Sequence, residues 1–219
     1  MSKINFMDFQ CAIFDLDGTL INSTGVWNKV DEDFFNRRNV IMPPEFPQVI
    51  KTHTLMSGAV YIKDRLSLPE SPEDIVKEWH DAAVYAYHND VRIKPYVKEL
   101  LELLKNSYGY KIGLATSNTH ELYDQCLINN GVYDYFDSFT QSDEVERLKG
   151  FPDIYEKAAE RMGVPKEKCI VFEDVYQAVK GARMGNFFTV AVEDSASAGD
   201  REEIIKIADV YIRSFRELV

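Results

Sequence analysis

Short apolar runs alternate with amphipathic stretches through most of the chain. Cys11–Phe14, Ile112–Ala115, Ser138–Thr140, Cys169–Phe172, Phe188–Val192 and Val210–Ile212 read as strands. Between them the spacing changes to that of helices. Val97, Leu100, Leu101 and Leu104 fall at i, i+3, i+4 and i+7, with Gly109 as a stop. Tyr155, Ala158, Ala159 and Met162 repeat that spacing between Pro152 at the start and Gly163 at the end. Alternation of this kind predicts an α/β fold, a doubly wound parallel sheet joined by right-handed crossovers.

One stretch breaks the alternation. From 21 to 91 no strand pattern is found, and Val26–Asn39, Leu55–Leu66 and Ser71–His88 read as helices. The last opens on a capping pattern, Ser71-Pro72-Glu73-Asp74, followed by Ile75, Trp79, Ala82, Ala83 and Ala86 on one face. The predicted organisation is a discontinuous α/β core, 1–20 with 92–219, and an inserted all-helical cap, 21–91. The connecting segments Leu20–Ser23 and Arg92–Pro95 are short and without periodicity, as hinges are.

Composition narrows the classes. The chain has 219 residues, 45% hydrophobic and 28% charged, which is enough to bury a core without disulfides. A formal net charge of −11 and no Lys/Arg-rich stripe argue against a nucleic-acid partner. Cys11, Cys126 and Cys169 are odd in number and far apart, so neither a disulfide framework nor a zinc site is indicated. No window approaches a membrane span. A monomer in the cytoplasm is the expectation.

Four clusters carry chemistry. Asp15 and Asp17, in Asp15-Leu16-Asp17-Gly18-Thr19-Leu20, leave the first strand at its carboxyl end, where parallel sheets bind ligands. Two carboxylates so placed can divide attack or metal binding from proton transfer. The same Asp-Gly would serve a hairpin turn equally well. Thr116-Ser117-Asn118 closes the second strand and opens a helix near His120, a cradle for phosphate or simply an N-cap. Lys149 precedes a helix and offers a point charge for a phosphoryl oxygen. Glu173-Asp174 ends the strand Cys169–Phe172, where hard oxygen ligands suit Mg²⁺ and where Asp174 could otherwise cap a helix. The histidines of the insert, His53, His80 and His88, show no metal-ligand spacing, and only His53 is kept as a candidate substrate contact.

Taken in order, these clusters resemble the haloacid dehalogenase superfamily, whose phosphatases carry Asp-x-Asp-Gly-Thr, then Ser/Thr, then Lys, then an acidic pair. The resemblance spans nearly the whole chain, the helical insert included, and is closest to the subclass of phosphoglycolate-phosphatase-like enzymes and beta-phosphoglucomutase. It implies Asp15 as nucleophile and Asp17 as general acid and base. It also implies Thr116, with Ser117 and Asn118 in the same loop, and Lys149 as phosphoryl ligands. Mg²⁺ would be bound by Asp15, the main-chain carbonyl of Asp17 and Asp174, with Glu173 behind them. The implied activity is hydrolysis of small phosphomonoesters through an aspartyl-phosphate. A sugar phosphomutase ranks second, because no Arg-x-x-Ser like that of beta-phosphoglucomutase occurs in the insert. A non-catalytic binding module ranks third. Asn22, Tyr96, Gly150-Phe151 and Ala178 depart from common family residues, so substrate identity does not transfer.

Overall fold

The computed structural model describes residues 4–50 and 53–219. Backbone contacts divide the chain into two compact units, Met1–Thr24 with Val91–Val219, and Gly25–Asp90.

The first unit is built on six parallel strands: β1 (Cys11–Phe14), β2 (Lys111–Thr116), β3 (Ser138–Gln141), β4 (Cys169–Glu173), β5 (Phe188–Val192) and β6 (Val210–Ile212). Its helices are α5 (Val97–Glu102), α6 (His120–Asn129), α7 (Asp153–Met162), α8 (Tyr176–Met184) and α9 (Arg201–Ile207). Their spatial order is β3-β2-β1-β4-β5-β6. This is the doubly wound arrangement expected from the alternation. All four residues of β1 and all five of β4 are buried, so both faces of the sheet centre are covered. That is why these strands read as unbroken apolar runs and not as alternating ones. On one face Cys11, Ile13, Cys169 and Val171 pack with Ile154, Tyr155, Ala158 and Met162 of helix α7 (Asp153–Met162). Here the i, i+3, i+4 spacing has become a packed stripe. Phe14 stacks on Phe172 across the neighbouring strands, with ring centroids 4.3 Å apart.

β1 lies between β2 and β4, with Phe14 opposite both Leu114 and Phe172. The strand order reverses between β1 and β4, which is the switch point where doubly wound sheets open a crevice beyond their carboxyl ends. The sheet unit keeps residues 21–24, which the strand pattern assigns to the insert. Ile21 bridges to both Asp17 and Ile93, and Thr24 bonds Asp194.

The second unit contains helices α1 (Val26–Arg37), α2 (Phe46–Ile50), α3 (Leu55–Leu66) and α4 (Pro72–Asn89), with no strand among its described residues. Ser71 caps α4 as its sequence suggests. Its hydroxyl accepts the Asp74 N–H at 3.1 Å, and the Asp74 carboxylate accepts the Ser71 N–H at 3.3 Å. α4 packs against both α1 and α3. Phe34, Phe35, Phe46 and Trp79 form an aromatic core, with Phe34–Phe35 and Phe35–Phe46 meeting edge to face. α2 is not visible in the periodicity. It is five residues long and carries Pro47 in its first turn, where a proline is tolerated.

Candidate active site

The loop after β1 is held by its own backbone. Asp15 N–H donates to the Phe172 carbonyl at 3.0 Å, which continues the β1–β4 ladder by one residue and places Asp15 beside the end of β4. The chain then turns at Gly18, which is left-handed at φ +76° and donates its N–H to the Ile21 carbonyl at 3.1 Å. A Cβ at Gly18 would overlap the Asp174 carboxylate. Glycine is therefore required twice there, for its conformation and for the close approach. Thr19 is fully buried and donates its hydroxyl to Asp174 Oδ1 at 3.1 Å.

Asp15, Glu173 and Asp174 are all buried, and each offers a carboxylate oxygen within 4.8 Å of the others. Three carboxylates this close disfavour their charged forms. Burial first, then Asp15 and Glu173, push the Asp174 carboxyl up to about 8. Burial and Asp15 push Glu173 up to about 7, against the pull of Lys149. Lys149, on the loop before α7, ion-pairs directly with Asp15 and reaches Glu173 Oε1 at 2.8 Å. Burial works against its charge, but the two carboxylates outweigh it and keep the ammonium protonated. The Tyr155 hydroxyl donates to the same Glu173 oxygen at 2.8 Å, and burial with Glu173 nearby holds that phenol un-ionised.

One lysine does not neutralise three buried carboxylates. It faces Asp15 and Glu173, while the Asp174 carboxylate accepts the Thr19 hydroxyl, and no cation pairs with it among the described residues. The donor set is hard oxygen, clustered and short of positive charge, which fits a divalent cation such as Mg²⁺.

The Thr116 loop approaches from β2. Thr116 is the last residue of that strand and not the first after it, and its buried hydroxyl oxygen accepts the Asn118 N–H at 3.1 Å. Its own proton is left to give. Asn118 donates its side-chain amide to Asp17 Oδ2 at 2.5 Å. Ser117 is turned toward Ser142, with the two hydroxyl oxygens 3.0 Å apart.

The ends of β1 and β4 thus bring Asp15, Glu173 and Asp174 together, Lys149 reaches them from its loop, and Asp17 lies against Asn118. The Asp17 carboxylate is not a member of the three-carboxylate group, and the expectation for Asp17 as a metal ligand concerns its main-chain carbonyl. His53 lies in the helical unit with Nδ1 2.8 Å from the Val49 carbonyl. Sequence reasoning missed Tyr155, which it counted as one apolar position of a helix face. It also missed Gly181 of helix α8 (Tyr176–Met184), where a Cβ would overlap the carbonyl of Lys149. The close approach of α8 is what sets the lysine loop where it is.

A family model for haloacid dehalogenase-like hydrolases matches residues 9–185. The chain belongs to that family, and it is a hydrolase by that membership. Among curated relatives, the phosphorylated carbohydrates phosphatase of Thermotoga maritima is 27% identical over 80% of each chain. The validoxylamine A 7'-phosphate phosphatase of Streptomyces hygroscopicus subsp. limoneus is 26% identical over 96% of each. Among solved structures, a Thermotoga maritima protein named for beta-phosphoglucomutase superposes with a TM-score of 0.80 at 25% identity, covering 93% of this chain and 94% of that one.

Proposed function

We propose that the chain is a Mg²⁺-dependent phosphatase of small phosphomonoesters, with an aspartyl-phosphate formed on Asp15. The observation that carries this reading is the convergence of Lys149, from its loop, on Asp15 and the Glu173–Asp174 pair at the adjoining ends of β1 and β4. The names of the two phosphatase relatives support the substrate class.

In the first step an Asp15 carboxylate oxygen attacks phosphorus and the bond from phosphorus to the ester oxygen breaks. Asp17, oriented by Asn118, gives its proton to the departing alkoxide. In the second step Asp17 takes a proton from water, whose oxygen attacks the phosphorus of the acyl-phosphate and releases Asp15 and inorganic phosphate. Lys149 and the Thr116 hydroxyl face the charge carried by the phosphoryl oxygens. Asp15, Asp174 and the Asp17 main-chain carbonyl would hold Mg²⁺, which would supply screening between the anionic nucleophile and the anionic substrate.

A second reading, transfer of the phosphoryl group to a sugar hydroxyl in place of water, is favoured by the similarity to the beta-phosphoglucomutase-named structure. Both follow the same first step and differ in the acceptor. The test is phosphate release from a panel of sugar and polyol phosphates with Mg²⁺ and with EDTA, alongside mass analysis of acid-quenched protein. Mg²⁺-dependent release with a phosphoryl adduct on the Asp15 peptide is expected. Release unaffected by EDTA, or an adduct elsewhere, refutes the reading; isomerised sugar phosphate without release selects the mutase.

A further inference from the structure

Asp194 lies two residues past the end of β5, is 7% exposed, and has both carboxylate oxygens engaged. Oδ1 accepts the Thr24 hydroxyl at 2.8 Å and the Ala196 N–H at 2.9 Å, and Oδ2 pairs with Lys94 Nζ at 2.9 Å. Burial opposes its charge, yet the Ala196 N–H, Lys94 and Thr24 together hold its carboxyl below the usual range. Thr24 and Lys94 stand on different connections. Thr24 ends the segment that leaves the sheet unit after the catalytic loop, and Lys94 lies on the segment that returns. One buried carboxylate therefore ties down both.

Lys94 also reaches the catalytic loop. Its ammonium donates to the Glu193 carbonyl at 2.9 Å and to the Gly18 carbonyl, so all three of its protons are used. Its main-chain N–H donates to Leu20 at 2.8 Å, and Asn22 N–H donates to Arg92 at 2.9 Å. Gly18 directly follows Asp17. With its N–H on Ile21 and its carbonyl on Lys94, the peptides on both sides of Gly18 are fixed. The Asn118 amide bonds the Asp17 carboxylate, a contact that orients the tip of the side chain but not its backbone.

We propose that Lys94, clasped by Asp194, is a positioning residue that fixes the Gly18 carbonyl and through it the acid–base carboxylate of Asp17. The inference rests on the reading of Asp17 as the proton donor to the leaving group. A buried ion pair adds little to net stability when both charges are removed together, so a role in placement is the stronger account of this one.

The clasp has a signature that a weakened fold lacks. A displaced Asp17 penalises a basic leaving group, which needs its proton, more than a good one. Loss of correctly folded protein lowers both rates by one factor. The experiment compares kcat/KM for phenyl phosphate and p-nitrophenyl phosphate in the parent, Lys94→Met, Asp194→Asn and Lys94→Met/Asp194→Leu, with melting curves to identify folded variants. We expect kcat/KM to fall about tenfold on p-nitrophenyl phosphate and at least about threefold further on phenyl phosphate. Thr24→Val, at an exposed position, should show the same skew to a smaller extent, and it carries the test together with the double variant if Lys94→Met does not fold. Equal losses on both esters, or none, overturn the proposal. Asp15→Asn in the same assay separates the two levels: if it retains the parent's rate on both esters, the phosphatase reading fails, whatever the clasp does.

Discussion

The two units bury different things. Every buried polar or charged residue among those described lies in the sheet unit: Asp15, Thr19, Ser23, Thr116, Ser138, Thr140, Glu173, Asp174, Thr189, Asp194 and Ser197. The helical unit buries side chains such as Val30, Phe34, Phe35, Ile62, Ile75 and Trp79, and no polar or charged one among its described residues. Its least exposed ion pairs among the described residues, Arg38 with Glu70 and Glu78, ring a partly covered guanidinium that also sits 3.8 Å over the Phe34 ring. A buried carboxylate costs several kcal/mol unless paired, so a unit that keeps several does so where chemistry needs them. The sheet unit spends stability on a site, while the helical unit is cored like an ordinary bundle.

That contrast is open to direct test by one substitution in each unit. Asp15→Asn should lower turnover by on the order of 10³-fold or more while leaving the melting temperature unchanged or raised, since it relieves a crowded carboxylate. Trp79→Ala should do the converse. It should cost about 3–5 kcal/mol of stability in the helical unit and leave Mg²⁺ affinity, measured by calorimetry on folded protein, within about twofold of the parent. Trp79→Phe should cost much less, because the indole N–H is buried with no hydrogen-bond partner among the described residues. A large loss of Mg²⁺ affinity in folded Trp79→Ala would break the division between the units.

A smaller effect separates backbone placement from side-chain chemistry within the sheet unit. Gly181 carries no functional group, but a methyl there would run into the Lys149 carbonyl and crowd Gly150 and Phe151. The obstructing atoms are main chain, so either α8 or the lysine loop must shift. Gly181→Ala should therefore cost about 1–3 kcal/mol by overpacking and reduce turnover about tenfold by moving Lys149 from Asp15. Parent-like kinetics with a lowered melting temperature would assign the glycine to packing alone.

These cases show where sequence reading stops. All six strands were legible because a parallel sheet covered on both faces turns each strand into a short apolar run, and Phe188–Val192 and Val210–Ile212 have the expected bounds. The strand-end rule found Asp15, Thr116 and Glu173–Asp174. Asp194, two residues past Val192, obeys the same rule at the end of the fifth strand. Tyr155, Lys94 and Gly181 were beyond it. Tyr155 occupies a core position of α7 like any aromatic, and only its hydroxyl bond to Glu173 marks it. Lys94 and Gly181 act on backbone carbonyls 76 and 32 residues away in sequence, contacts that local periodicity does not encode. Alpha-helix α2 failed for a simpler reason, being shorter than two turns.

Titration of the buried carboxylates has the smallest effect of these. Burial and neighbouring carboxylates raise Asp174 to about 8 and Glu173 to about 7 in the folded protein, against ordinary values of 3.8 and 4.5. Between those limits the folded chain holds more protons than the unfolded one, so stability falls as pH rises. Metal-free protein should melt highest near pH 5 and lose several degrees by pH 8, a shift of about the size that 1–2 kcal/mol produces in a domain this large. A bound divalent cation removes the repulsion that raises both carboxyls, so Mg²⁺ should stabilise the protein more at pH 8 than at pH 6. Asp174→Asn separates this site from the rest of the acidic surface. It should flatten the pH slope of the metal-free protein and abolish most of the Mg²⁺ stabilisation, whereas a general effect of net charge would leave the slope nearly intact. If metal-free protein melts no lower at pH 8 than at pH 5, the three-carboxylate cluster is not under a strain that a cation would relieve, and the sheet unit would then bury its acids at no more cost than the helical unit buries its aromatics.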